Sequence, residues 1–177
     1  AGALFTTDRQ GHSVCRRMVE RLGGPYPHMA LCWFEAYASI LLEGNWLAFF
    51  HHGAILEPHL QNTVVGFDRG MPAKGWVRDL EGTKLVEHLW SDDRLDALTP
   101  RARASVLYPA ELGWKRVAYC ALVNNLAEAI FHLCGDDGDL EQRMWQSIAH
   151  IAERWQARHG RQPLLQGLID GEALPSK

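Results

Sequence analysis

Across residues 28–50 the chain places Met29, Trp33, Ala36, Tyr37, Ile40, Leu41, Trp46, Leu47 and Phe50 at helical spacing in a strongly apolar background. A helix of that kind has to be buried, so other elements must cover it. A bend is expected near Gly44. An aromatic stripe of this sort is far more often core than a base-stacking platform, and it is read as core. Two more long helical runs follow. Residues 111–133 end at Cys134-Gly135-Asp136-Asp137-Gly138. Residues 139–159 carry Leu140, Met144, Trp145, Ile148, Ile151, Ala152 and Trp155 on one face, Glu141, Arg143, Glu153 and Arg154 on the other, and Gly160 as the C′ residue. A short helix at 13–22 is stopped by Gly23-Gly24-Pro25, and another short segment lies at 164–169. Within a polar connection over 83–105, Thr99 is placed to cap a helix with Pro100 in its first position.

Between the first two long helices the periodicity changes. Thr63-Val64-Val65-Gly66-Phe67 and Trp76-Val77 are β-rich runs joined by Asp68-Arg69-Gly70-Met71-Pro72-Ala73-Lys74-Gly75. This predicts an antiparallel hairpin with a loop longer than the tightest type. Such a hairpin brings Asn62 and Asp79 together although they are well separated in sequence. An amide oxygen beside a carboxylate is a hard-oxygen pair suited to Mg²⁺ carrying nucleotide phosphates, as in the Asn and Asp pair of protein kinases. Taken singly, each is an ordinary turn residue. The fold class expected is α+β and mostly helical: long packed helices with a small antiparallel hairpin, or sheet, that carries the site.

Composition narrows the function classes. Hydrophobic residues make up 47% and charged residues 22%, ordinary for a globular chain, and 177 residues fit a single domain able to bury a real core. The net charge of −3 gives no reason to expect a nucleic-acid partner. Residues 31–50 come nearest to a membrane span but are interrupted by Glu35, Glu43, Gly44 and Asn45, so no membrane partner is expected. The start lacks a basic n-region with a long apolar h-region, and no signal peptide is expected. Cys15, Cys32, Cys120 and Cys134 form no CxxC and read as reduced thiols of a cytoplasmic protein. There is no GxxxxGK[ST] and no GxGxxG, so a nucleotide site has to be of another kind. His51, Glu57 and His59 could make a His₂Glu zinc site, but HExxH is absent and Pro58 argues against a regular helix. Glu128 and His132, an i, i+4 pair, read as helix packing.

The segment Glu57-Pro58-His59-Leu60-Gln61-Asn62, followed by Val77-Arg78-Asp79-Leu80-Glu81-Gly82, resembles the E-x-H-x-Q-N … R-D-x-x-G signature of the NRPS-independent siderophore synthetases, the aerobactin-synthetase-like family. Leu122-Val123-Asn124-Asn125-Leu126-Ala127-Glu128 is similar to that family's Asn-containing helix, and Leu174-Pro175-Ser176-Lys177 to the start of its lysine-bearing C-terminal motif. The resemblance implies siderophore biosynthesis. In that chemistry a carboxylic acid, such as citrate or a succinyl derivative, is condensed through an acyl-adenylate with an amine or N-hydroxy amine, and AMP and pyrophosphate are released. It implies ATP and Mg²⁺ as cofactors and a homodimer as the assembly. Residues 1–177 would be one domain, the C-terminal, palm-like part of a longer synthetase, working with the rest of that chain and inactive alone. By the same resemblance Asn62 and Asp79 hold Mg²⁺, Glu57 and Arg78 join them at ATP, and His59, Gln61 and Lys177 bind and position the carboxylate substrate. For Arg78, pairing with Glu81 is the commoner alternative. Two other classes stay open: a kinase-like phosphotransferase, which would release ADP, and a non-catalytic helical interaction domain.

Overall fold

The computed structural model describes residues 1–171. The helical layer consists of α1 (Val14–Arg21), α2 (Tyr26–His52), the short α3 (Asp92–Leu95) and α4 (Pro100–Val106), and the long helix Ala110–Cys134 with α7 (Gly138–His159) and α8 (Pro163–Ile169) behind it. The long helix is composite, with α5 (Ala110–Ala118) and α6 (Ala127–Cys134) flanking a π-helical stretch at Tyr119–Leu126. The β elements are β1 (Ala54–Ile55), β2 (Thr63–Asp68), β3 (Met71–Val77), β4 (Lys84–Val86) and β5 (Leu107–Tyr108). The expected α+β, mostly helical class is what the chain adopts.

The apolar helix is buried as its sequence requires. Trp33, Phe34, Tyr37, Leu42, Trp46 and Phe49 of α2 all lie in the core, and Trp46 meets Trp155 of α7 edge-on at 6.1 Å between ring centroids. α2 runs unbroken through Gly44 and ends at Gly53, whose φ of 64° gives the left-handed cap. Local caps hold where the side chains supply them. Ser13 Oγ accepts from Arg16 N, Thr99 Oγ1 from Ala102 N with Pro100 at N1, and Asp137 Oδ1 from Leu140 N.

The hairpin differs from expectation in its loop. Asp68 pairs with Met71, so the turn is the two-residue Arg69-Gly70, and both residues have positive φ, 46° and 88°. That is the twist a tight hairpin favours. Pro72 does not end β3, because in a two-stranded ribbon each strand has an unpaired edge that tolerates a missing N–H. The register shift between Gly66 and Phe67 leaves Ala73 as an extra residue on β3. A second sheet, β1-β4-β5, was not expected from the polar connection. β4 pairs antiparallel with β1 and parallel with β5. Its strands are two or three residues long, too short to carry a readable alternation.

Ala110–Cys134 is the one helix among the described residues long and apolar enough to cross a membrane, whereas sequence inspection pointed to 31–50 as the nearest case. In its most apolar window 61% is buried inside the fold, as in a core helix.

Candidate functional site

The site is built on the loop between β1 and β2. This loop turns on the His59 carbonyl, which accepts from Asn62 N at 3.0 Å, Thr63 N at 3.1 Å and Thr63 Oγ1 at 3.1 Å. Asn125, on the π-helical stretch and 0% exposed, fastens it from behind. Its Nδ2 donates to Pro58 O at 2.9 Å and Thr63 Oγ1 at 3.2 Å, and its Oδ1 accepts the Tyr37 hydroxyl. Every polar atom of that buried amide is used, so the loop carrying His59, Gln61 and Asn62 is tied to the middle of two core helices. Burial pushes the Tyr37 phenol well above its ordinary value.

On the outer side of this loop lies a cleft of about 840 Å³. Glu57 and His59 form one wall. Lys115 and Arg116 of α5, with Tyr119 and Asn124 of the π-helical stretch, form the other. Arg116 reaches across with both Nε and Nη2 onto Glu57 Oε1. The close approach that permits this passes through Gly113, where an added Cβ would sit 2.6 Å from Ile55 Cδ1 and 3.1 Å from the Phe49 ring. Glu57 is therefore a neutralised carboxylate. Lys115 is exposed, with no ion pair among the described residues. Arg116 and Lys115 escaped sequence reasoning because nothing marks two cations on a helix as facing a loop more than fifty residues earlier. The Asn124-Asn125 pair was the available signal.

The hairpin closes at the strand ends as its pattern predicted. Arg78 N donates to Asn62 O at 2.8 Å, which sets Asp79 one residue from Asn62's direct partner. Arg78 Nε bonds the Gln61 carbonyl at 3.0 Å and makes no ion pair with Glu81, so it braces the loop. Asn62 is only 8% exposed and its side chain makes no hydrogen bond among the described residues, while Asp79 is exposed and its carboxylate is unpaired among them. The backbone pairing thus brings Asn62 and Asp79 to adjoining strand ends, with Asn62 buried and Asp79 open to solvent. Asp79 has φ 61° and ψ 64°, the left-handed region that side chains other than Gly, Asn and Asp rarely enter.

Among the described residues no three His, Cys, Asp or Glu side chains come together to hold a metal, so the His51, Glu57, His59 zinc trio is not assembled. His51 instead packs on Trp155 and His159. Glu128 and His132 contact one another at 3.3 Å, as a packing pair. Lys177 lies outside the described residues.

A family model described as ferric iron reductase FhuF-like transporter matches residues 31–177. Among curated proteins the chain is 30% identical over 127 residues to the L-2,3-diaminopropanoate–citrate ligase of Staphylococcus aureus, covering 72% of this chain and 22% of that one. It is 27% identical over 113 residues to the N(2)-citryl-N(6)-acetyl-N(6)-hydroxylysine synthase of Escherichia coli, covering 64% and 19%. The chain thus spans about a fifth of the length of these relatives. Among solved structures it is similar to aerobactin synthetase IucA from Klebsiella pneumoniae, with a TM-score of 0.78 at 22% identity over 93% of this chain and 30% of that one. The ATP-bound form of that synthetase superposes with a TM-score of 0.76, again at 22% identity, over 93% and 30% of the two chains. At this identity the likeness is one of fold.

Proposed function

The chain belongs to the FhuF-like family, and on that footing we propose that it is the C-terminal, palm-like part of an NRPS-independent siderophore synthetase. That enzyme would condense citrate or a related carboxylic acid with an amine or N-hydroxy amine at the expense of ATP. The citrate-ligase relatives support the reaction class, and the cleft supports the chemistry. The observation that carries the reading is the meeting of Glu57 and His59 with Lys115 and Arg116 around one opening.

The reaction runs in two steps. A substrate carboxylate oxygen attacks the α-phosphorus of ATP and pyrophosphate leaves. The amine nitrogen then attacks the acyl carbon, loses its proton and displaces AMP. Both reactants of the first step are anions, so the protein has to align them and screen their repulsion. Lys115 supplies the uncompensated positive charge at the cleft wall, and Arg116, paired with Glu57, presents its remaining N–H donors there. His59 and Gln61 bind and orient the acid, with Lys177 assigned to the same carboxylate. Glu57 acts through Arg116, fixing the guanidinium plane. Asn62 and Asp79 are the oxygen donors for Mg²⁺, which when bound offsets phosphate charge, and Arg78 holds the nucleotide side of the loop. The protein acts in the cytoplasm, where ATP is supplied, as a homodimer.

The test is product analysis on the full-length protein, with citrate and a diamine offered beside ATP. AMP and pyrophosphate formed only when the acid is present are the expected result. ADP would move the protein to the phosphotransferases. The family description favours a second reading, ferric-chelate reduction; iron reduction without ATP consumption would establish that instead.

A further inference from the structure

The Asn125 amide can sit only one way round. The Pro58 carbonyl, 2.9 Å away, can only accept, so Nδ2 faces it and Oδ1 faces the Tyr37 hydroxyl, which donates. The second Nδ2 proton goes to Thr63 Oγ1 at 3.2 Å. An amide nitrogen accepts nothing, so the Thr63 hydroxyl must send its own proton elsewhere. The His59 carbonyl takes it at 3.1 Å. Together these bonds make a one-way chain of donors, Tyr37 to Asn125 to Thr63 to His59, running from α2 to the site loop. Its side chains are closed to bulk water: Tyr37 is 1% exposed, Asn125 0% and Thr63 3%. Solvent does not substitute for a link, and each bond in such a chain polarises the next.

The chain ends on a backbone carbonyl, but its consequence lies at a side chain. His59 lines the cleft, yet its imidazole has no hydrogen bond, ion pair or ring contact among the described residues. The backbone that carries the ring therefore decides where it stands. Three donors hold that backbone at the His59 carbonyl: Asn62 N, Thr63 N and Thr63 Oγ1. Of the three, the hydroxyl alone continues into the core helices. We propose that Thr63 is a positioning residue for activation of the acid, its hydroxyl holding the His59 backbone so that the imidazole meets the substrate carboxylate. Thr63 touches neither substrate nor nucleotide and acts through His59. Small displacements of an orienting group are costly when two anions have to be aligned. The assignment rests on the synthetase reading and adds to it a residue that lies just beyond the loop motif.

The test is acid-dependent ATP–pyrophosphate exchange by the full-length protein, using whichever of citrate and succinate supports exchange in the wild type. Thr63→Val removes the hydroxyl and keeps the branched shape, whereas Thr63→Ser keeps the hydroxyl and drops the methyl. The KM for the acid is expected to rise about tenfold in Thr63→Val, the factor one hydrogen bond typically supplies. In Thr63→Ser it should stay close to the wild-type value. A side chain that serves packing alone gives the opposite order. In a His59→Ala background Thr63→Val should raise the KM no further, because the residue it acts through is gone. Each variant is first matched to the wild type by circular dichroism and thermal melting, and Thr63→Ala replaces Thr63→Val if that variant fails to fold. A wild-type KM in Thr63→Val, a Thr63→Ser as defective as Thr63→Val, or an effect of equal size with and without His59 overturns the assignment and leaves the synthetase reading standing. Wild-type protein in which neither acid supports exchange overturns both together.

Discussion

Asp79 shows how a single residue separates stability from function. Its left-handed backbone is strained for any side chain, although Asp adopts it more readily than most. Asp79→Gly is therefore expected to raise stability by roughly 0.5–1 kcal/mol in urea unfolding. The same substitution should abolish acid-dependent ATP–pyrophosphate exchange in the full-length enzyme. Exchange at the wild-type rate would remove Asp79 from the site. Arg78 was read as a nucleotide contact with Glu81 as its commoner partner, and its guanidinium is on the Gln61 carbonyl instead. That choice depends on which groups the turn at Asp79 leaves within reach, and no local spacing rule encodes it. Asn125 makes the same point more strongly. The Asn pair drew notice in the sequence, but that one amide of the two is buried against Pro58 and Thr63 follows from the π-helical turn that rotates it inward.

At the scale of elements, the long helices were legible because each buries enough apolar side chains to impose a 3.6-residue period. The hairpin was legible as a hairpin but not in its loop. Met71 to Lys74 look like turn material, and only their pairing with Gly66 to Asp68 shows them to be strand. Arg69-Gly70 should then be the sensitive point. Gly70 has φ 88°, and a Cβ there would meet Leu22 Cδ2 at 3.1 Å. Gly70→Ala is expected to cost about 1–2 kcal/mol and lower the melting temperature by several degrees. No change on thermal melting would mean that the turn adopts another type. α5 illustrates a different dependence. The approach at Gly113 carries Arg116 to Glu57, so the charge pair at the cleft is a consequence of helix-to-strand packing.

For the whole molecule, burial sets a pH limit. Desolvation pushes the Tyr26 phenol from 10.0 to about 12, and its hydroxyl donates to Leu133 O at 2.8 Å; burial likewise raises the Cys134 thiol from 9.0 to about 12. Both pKa values are higher folded than unfolded, so the folded state holds these protons more tightly. Their contribution is fully present below about pH 9 and is lost progressively as pH rises toward 12. The melting temperature should fall across that window, and Tyr26→Phe should flatten the fall above pH 10; a melting temperature independent of pH from 9 to 12 would contradict the burial. Residue order alone dictated the mostly helical core, the existence of the hairpin and the loop motif, because hydrophobic period and turn chemistry act between near neighbours. The β1-β4-β5 sheet, the Arg116–Glu57 pair, the anchoring by Asn125 and the cleft arose only in three dimensions. Each joins segments whose contact is fixed by how helices and strands pack, and that geometry leaves no mark on the local sequence.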